Sequence, residues 1–368
     1  MLKKLMFKSG VNRENTRYTT EGGYYDGDKI RFRQGTPEVI GGWVKISSNT
    51  FLGVCRSLWS WVTLNFITLI GVGTNLKFYV CRGGAYYDIT PVRTSTALSN
   101  PFTATTGSSI IAVHAASHGA LNGDFVTYNG AVTLGGTITA SLLNREYQIT
   151  YVDQNNYTIN VGTNANSSDT GHGGTAVRAV YQLNTGPEYQ TPNTGLGAGP
   201  WGYGTWGVGT TNLISMKLWS QNNFGQDLIF GQRGGDIYYW GASFGVVDVQ
   251  CTITSATPAV LTTAAVLSEG QAIQFATTGN LPTGLVTGTT YYVRNYSSGA
   301  GTCNLSATAS GALINTSGTS VGIQYITPRA INLASFTGAS DVPTVQNYTF
   351  ISDIYRFVFA FGCNDYGS

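Results

Sequence analysis

Residues able to carry out chemistry are few in this chain. His114, His118 and His172 are the only histidines, and none lies within five residues of a cysteine. No HExxH or P-loop pattern is present, no GxGxxG follows a strand-like run, and the GxSxG strings "GASFG" (241–245) and "GTSVG" (318–322) lack the strand-to-helix context of a nucleophile elbow. His118 sits in "SHGALNGD", a turn-forming stretch, and reads as a loop residue. Cys55, Cys81, Cys251, Cys303 and Cys363 are spaced more than 20 residues apart with no CxxC, which fits neither a metal cluster nor a disulfide scaffold. They read as small buried apolar side chains. Cleaving a glycan would need two carboxylates facing each other across the scissile bond. Asp26 and Asp28 flank Gly27 in an evident turn, Asp153 lies in the tight turn "VDQNN", and Asp236 adjoins a glycine pair, so each has a local structural use. "DQNNYT" and "NSSDTGHGG" both lack the spacing of a calcium loop. The expectation is a protein that is not an enzyme, with no catalytic residue, metal or cofactor.

The elements around these residues are β-strands. The 368 residues include 48 glycines, 12% aromatics and only 10% charged side chains, against about 25% charged in an ordinary soluble domain. That composition is turn-rich and β-rich, the reverse of a disordered chain. A formal charge of +2 provides no basic patch for nucleic acid or an anionic membrane, so any DNA contact is expected by steric enclosure alone. "MLKKLMFKSG" has a basic start but no apolar core after it, so no secretory signal is expected. Ser57 to Val80 is apolar but broken by Asn65, glycines and threonines, and reads as paired strands.

Two internal stretches follow one plan. Gly123, Phe125, Val126 and Tyr128 align with Gly270, Ala272, Ile273 and Phe275; Tyr147 and Ile149 with Tyr291 and Val293; Tyr157 and Ile159 with Cys303 and Leu305. The period-two alternation predicts half-buried strands in both copies. The chain is therefore expected to be all-β. A discontinuous β-propeller-like platform (1–101, 181–248 and 329–368) would carry two inserted β modules, 102–180 and 249–328, the second repeating the first. "RGGAYYDI" (82–89) and "RGGDIYYW" (233–240) read as the closing strand of one blade each, and a third blade begins near "TFISDIYRFVFAFG". Such insertions cost little if each module's first and last strands are neighbours, because loop-closure entropy grows only logarithmically with length.

Two segments remain as candidates for contact or gating. "NTGLGAGPWGYGTWGVGTT" holds too much glycine for a helix or central strand and reads as a long loop whose Trp201, Tyr203 and Trp206 pack on a neighbouring surface, with display for sugar or base stacking as the alternative. "KIRFR" places Lys29, Arg31 and Arg33 on one strand face, by default a solvated face and, as the sharper alternative, a subunit contact.

The stretch Phe7 to Trp43, with the pattern GVNRE-x-TRY-x-x-EGG-x-Y-x-x-DK-x-RFR-x-G-x-PE-x-IGGW, resembles the opening of tail nozzle proteins (tail tubular protein B) of short-tailed, podovirus-type phages. "FGQDLIF" with "GGDIYYW", the "PWGYGTWG" loop and the end "RFVFAFGCND" are similar to the same family. The resemblance implies a virion structural protein of the tail. Such subunits form a ring, a hexamer, below the tail adaptor protein, carry a propeller-like platform and gate the distal channel for DNA ejection. The implied partners are further copies of itself, the adaptor, tail fibres, the host cell surface and phage DNA crossing the lumen without sequence-specific binding. Family members continue well beyond a strand like "FAFGCNDYGS", so either this sequence is a fragment of a longer protein or the remaining blades are absent, and a complete propeller is not a firm expectation. The alternative expectation is a receptor-binding or fibre-attachment module whose inserted units face the host.

Overall fold

The computed structural model describes residues 7–189 and 216–363, except 15, 17, 20, 43, 46, 243, 244, 246, 268, 288, 309, 328, 337, 340 and 353. The described residues are almost wholly β-structure. They divide into two units, Met1–Ser48 and Asn49–Ser368.

In the first unit, β1 (Ile30–Arg33) and β2 (Thr36–Val39) form a hairpin. Its two-residue turn, Gln34-Gly35, has φ of 49° and 84°, the positive values that let a tight turn follow the strand twist. Tyr24 packs edge-on against Phe32 at 5.2 Å.

The second unit is built on a stack of antiparallel sheets. Its first sheet is a meander of β3 (Cys55–Val62), β4 (Thr68–Thr74), β5 (Phe78–Arg82) and β6 (Ala85–Asp88). Alternation sorts its side chains to two faces: Trp61, Leu69, Phe78 and Val80 point to one core, and Val72, Tyr79 and Cys81 to another.

The chain then enters a nine-stranded module: β7 (Val92–Leu98), β8 (Phe102–Ala104), β9 (Ile110–His114), β10 (Phe125–Asn129), the single turn α1 (Ala140–Leu143), β11 (Glu146–Gln148), β12 (Thr150–Asp153), β13 (Asn156–Asn160), β14 (Asp169–His172) and β15 (Val177–Gln182). It forms two sheets, β11-β10-β15-β7 and β12-β13-β9-β8-β14. Inside, the Tyr157 hydroxyl lies 2.6 Å from that of Tyr128 and 3.0 Å from that of Tyr181, so three buried polar tips satisfy one another.

The second sheet of the stack follows, with β16 (Trp219–Phe224), β17 (Asp227–Gln232) and β18 (Ile237–Trp240). Before its fourth strand the chain makes a closed barrel of β19 (Val249–Ile253), β20 (Leu261–Thr263), β21 (Ala272–Thr277), β22 (Tyr291–Ser297), β23 (Thr302–Ser306) and β24 (Gln324–Thr327). Only then does β25 (Ile331–Asn332) add to β18. A hairpin of β26 (Tyr348–Ile351) and β27 (Val358–Phe361) ends the fold.

The first module and the closed barrel share one circular strand order. The barrel runs β19-β20-β23-β22-β21-β24 and back to β19. The module runs β7/β8, β9, β13, β12/β11, β10, β15 and back to β7, so β19 corresponds to β7 plus β8, and β22 to β11 plus β12. The correspondence reaches single bonds. Gly123 N–H donates to the Ile149 carbonyl at 2.8 Å, and Gly270 N–H to that of Val293 at 2.8 Å. Ile149 N–H donates to Asp124 O at 2.7 Å, and Val293 N–H to Gln271 O at 2.9 Å. The first copy opens into two sheets where its strands break, once at 99–101, where Pro101 lacks a ladder donor, and once at Ile149. First and last strands pair in both copies, Val92 with Gln182 and Val249 with Ile326, so each brings its own ends together. The first copy starts at Val92, ten residues before the composition shift near 102.

The sheets stack face to face like propeller blades. Phe78 and Phe230 lie parallel with centroids 3.9 Å apart, Trp219 meets Phe78 edge-on at 5.0 Å, and Trp61 meets Trp240 edge-on at 6.4 Å. Each such ring contributes on the order of 2–3 kcal/mol by leaving water. The indole N–H groups of Trp61 and Trp219 donate to the carbonyls of Gln226 (2.8 Å) and Thr74 (2.7 Å). Two glycines of β4 permit this approach. A Cβ on Gly73 would stand 2.5 Å from the Trp219 ring, and one on Gly71 would stand 2.1 Å from Gln221 Oε1. The second sheet's other face, with Ile229 and Ile237, packs on Ile351 and Val358 of the terminal hairpin.

One expectation fails. "RGGAYYDI" is the turn into β6, the fourth strand of the first sheet, whereas "RGGDIYYW" is the turn into β18, the third strand of the second. The octets are similar because both are glycine hairpin turns followed by aromatic strands. The repeat in register runs from "LWSW" of β3 to "LWSQ" at β16, and the fourth strand of the second sheet lies beyond the barrel, out of reach of any local pattern.

Candidate functional site: a charged junction between the sheet stack, the first module and the barrel

Lys77 is the only charged residue between Ser57 and Val80, and its side chain is 4% exposed. The turn after β4 aims it: Thr74 Oγ1 accepts from the backbone N–H groups of Leu76 (3.1 Å) and Lys77 (2.8 Å). The Lys77 ammonium donates to Asp88 Oδ2 at 2.7 Å and to Glu146 Oε1. It also stands 4.4 Å over the Phe125 ring. Arg329, just past β24, places Nη2 at 3.6 Å from both Asp88 and Glu146, and its Nη1 donates to the Thr90 carbonyl at 2.8 Å. Thr90 in turn donates to Asp88 Oδ1 from its N–H (2.9 Å) and its hydroxyl (2.5 Å), while Gln182 Nε2 donates to Glu146. Two cations thus face two carboxylates drawn from three parts of the fold: Lys77 and Asp88 from the first sheet, Glu146 from the first module and Arg329 from the barrel's exit.

Burial by itself would raise the pKa of Asp88, but Arg329, Lys77 and the Thr90 hydrogen bonds outweigh it and hold the carboxyl below the ordinary value. Burial would lower that of Arg329, and Asp88, Glu146 and Asp248 reverse the shift. Asp248, at the barrel's entry, is raised by burial despite Arg329. A cluster of paired charges drawn from three parts of the fold holds those parts together.

A second polar contact lies where the first module meets the second sheet. Asp124 accepts from Leu121 N–H (2.8 Å) and from Asn184 Nδ2 (2.8 and 3.0 Å), and its pKa is raised by burial. Lys217, beside Asp124 and Asp236, is lowered by burial. Between the module and the barrel is a cavity of about 80 Å³ lined by Asn129, Gln182, Gln274, Phe275, Thr287 and Arg329 among others.

The residues singled out in the sequence do not converge here. Arg31 pairs with Glu38 across the β1–β2 hairpin, and Arg33 is exposed two positions on. Lys29 precedes the strand, with φ of 54°, and lies 3.9 Å from Asp28. Trp201, Tyr203 and Trp206 lie outside the described residues. His118 is a buried structural residue: Ala120 N–H donates to its Nδ1 at 3.0 Å and its Nε2 lies 2.9 Å from the Asp153 carbonyl, so Nε2 carries the proton. Asp153 caps its turn by accepting from Asn155 N–H at 2.7 Å. Among the described residues, no group of three or more His, Cys, Asp or Glu is placed to hold a metal. The junction escaped sequence reasoning because its members are spread from position 77 to 329, yet a lone lysine inside an uncharged apolar run was a usable signal.

No family model matches the chain. No curated protein matches it. Among solved structures it is similar to one titled "Phage phi92 endosialidase", at 11% sequence identity and a TM-score of 0.21, over 79% of this chain and 46% of that one. The chain therefore spans under half the length of that structure, and a likeness so slight carries no argument about fold or activity.

Proposed function

We propose that this chain is a structural subunit of a phage virion, part of the tail nozzle ring that forms and gates the distal channel for DNA ejection. The observation that carries the reading is the stack of aromatic-cored sheets bearing a two-sheet module and a closed barrel of one strand order, clamped at a buried charged junction. Such a body transmits load between its parts without hinging, because separating them would strand charges away from their partners. The resemblance of Phe7–Trp43 and Phe224–Trp240 to nozzle proteins supplies the context: a ring below the tail adaptor, with tail fibres and host surface as neighbours. The low charge density suits a conduit, since every Lys or Arg contact with a phosphate would hold back passing DNA. Gating is a rigid-body change between neighbouring copies, and the glycine- and tryptophan-rich segment holding Trp201, Tyr203 and Trp206 is the proposed constriction. Electron microscopy of the purified protein, alone and mixed with the adaptor of the same particle, tests this. Rings with a central hole are expected. A protein that stays monomeric in both preparations overturns it.

A further inference from the structure

The first module and the barrel meet along a seam. In the module, Val126, Tyr128, Ala179 and Tyr181 point into its own core, so their alternates on β10 and β15, Thr127, Asn129, Val180 and Gln182, point outward. In the barrel, Ile273 and Phe275 point inward, and Gln274 and Ala276 outward. Outward polar side chains of a lone β body would face water, yet Asn129, Gln182 and Gln274 are 5% exposed or less. The two outer faces cover each other. With its amide turned to suit both partners, Asn129 Nδ2 donates to the Thr277 carbonyl across the seam at 2.5 Å. A Cβ on Gly130 would stand 2.6 Å from Asn280 Oδ1, so the bodies also approach closely there.

Between these faces lies the cavity of about 80 Å³. Three buried side chains that line it carry an oxygen with no hydrogen-bond partner among the described residues: Gln182 Oε1, Gln274 Oε1 and Thr287 Oγ1. The amide nitrogens are engaged elsewhere, Gln182 Nε2 on Glu146 and Gln274 Nε2 on Thr290 Oγ1 at 3.4 Å, so the carbonyl oxygens are the ends left to pair. Burying a polar atom without a partner is costly, and three around one space call for a shared partner that donates. An anion would meet two carbonyl oxygens. A metal ion would meet the Arg329 guanidinium, and no carboxylate is among the described lining residues. A neutral O–H donor remains, and the volume admits two or three waters at about 30 Å³ each.

We propose that this cavity is a binding site for two or three ordered waters, which hydrogen-bond Gln182 Oε1, Gln274 Oε1 and Thr287 Oγ1 and bridge the first module to the barrel. A bridging water is enthalpically nearly as good as a direct hydrogen bond. The site also extends the charged junction, because Gln182 takes water on its oxygen while its nitrogen donates to Glu146, and Arg329 lines the same space. Water and polar groups thus hold the seam where stacked rings hold the sheets. The inference concerns the body of one chain and stands whether or not copies assemble.

The test is a high-resolution crystal structure of the full chain, from one crystal kept free of glycerol and one soaked in it, together with oxygen-17 relaxation dispersion in solution, which counts long-lived internal waters. Density peaks at about 2.8 Å from the three oxygens are expected in the glycerol-free crystal. The double variant Gln274→Met, Thr287→Val removes two of the three acceptors and should hold at least one long-lived water fewer than the parent. If that variant does not fold, the density of the parent decides alone. The inference fails if the glutamine oxygens turn to other protein groups, if one peak sits among five or six oxygens at about 2.4 Å as a cation would, or if the space is filled only in the glycerol soak, an adventitious additive only. Equal numbers of long-lived waters in parent and folded variant also overturn it.

Discussion

Replacing Lys77 with Met tests whether the charged junction bolts the fold together. Methionine keeps the length and apolar stem of the lysine but removes its charge, leaving Asp88 and Glu146 to share Arg329 alone at 3.6 Å from each. Removing one partner of a buried pair typically costs about 3–5 kcal/mol. Here the carboxylate side chains are 24% and 31% exposed and keep one cation, which places the expected loss near the lower end, about 3 kcal/mol. Glu146→Gln should cost less, about 1–2 kcal/mol, since glutamine still accepts from Lys77 and its charge was partly solvated. The double variant should lose less than the sum of the singles by about 1 kcal/mol or more, because both report on one contact. Denaturant unfolding followed by tryptophan fluorescence is a suitable assay: Trp59, Trp61, Trp219 and Trp240, four of the seven tryptophans, belong to the sheet-stack core. A loss under about 1 kcal/mol for Lys77→Met, the scale of a surface pair, would refute the assignment of a structural bolt.

The acid limb of stability should depend on Asp88. Its folded pKa lies below the unfolded value of about 3.9, so its contribution is present above that pH and disappears as pH falls through the lowered value; Asp88→Asn should destabilise at neutral pH and flatten the melting profile below about pH 4. Asp248 has the opposite sign: its raised folded pKa favours the folded state at low pH, an advantage lost as pH rises, so Asp248→Asn should be neutral or stabilising in melts at about pH 7. Gly73→Ala should cost about 1–3 kcal/mol by driving a methyl into the Trp219 ring, seen as a lower denaturation midpoint; an unchanged midpoint would contradict the close packing of β4 on β16. Cys251 and Cys303, buried and each pushed up to about 12, should resist iodoacetamide until the barrel unfolds, as read by mass spectrometry.

Much of this architecture was legible because alternation is a local property. Tyr157 and Ile159 of β13, like Cys303 and Leu305 of β23, announce buried strand faces within a few residues, and Gly123 and Gly270 mark the same positive-φ turn in each copy. Strand neighbours are not local. Nothing in "YYW" of β18 says that its partner β25 lies past a whole barrel, so the two glycine octets were given one role when they hold different places in their sheets. The junction was hidden for the same reason: Lys77 meets Glu146 and Arg329 only because three folded pieces converge. In the basic strand "KIRFR", Arg31 has a local partner, Glu38, across the hairpin, while Arg33 is exposed beside it.

The position of the barrel between β18 and β25 also has a consequence in time. As the polypeptide leaves the ribosome, Tyr239 must wait for Ile331, its partner across the ladder, until the whole barrel has been synthesised. Such late pairing is slow and leaves a strand border open to wrong neighbours while translation continues. Early collapse of the barrel shortens that wait, since its paired ends deliver Ile331 close to the unfinished border; mutations that slow barrel formation should therefore surface first as aggregation through the second sheet.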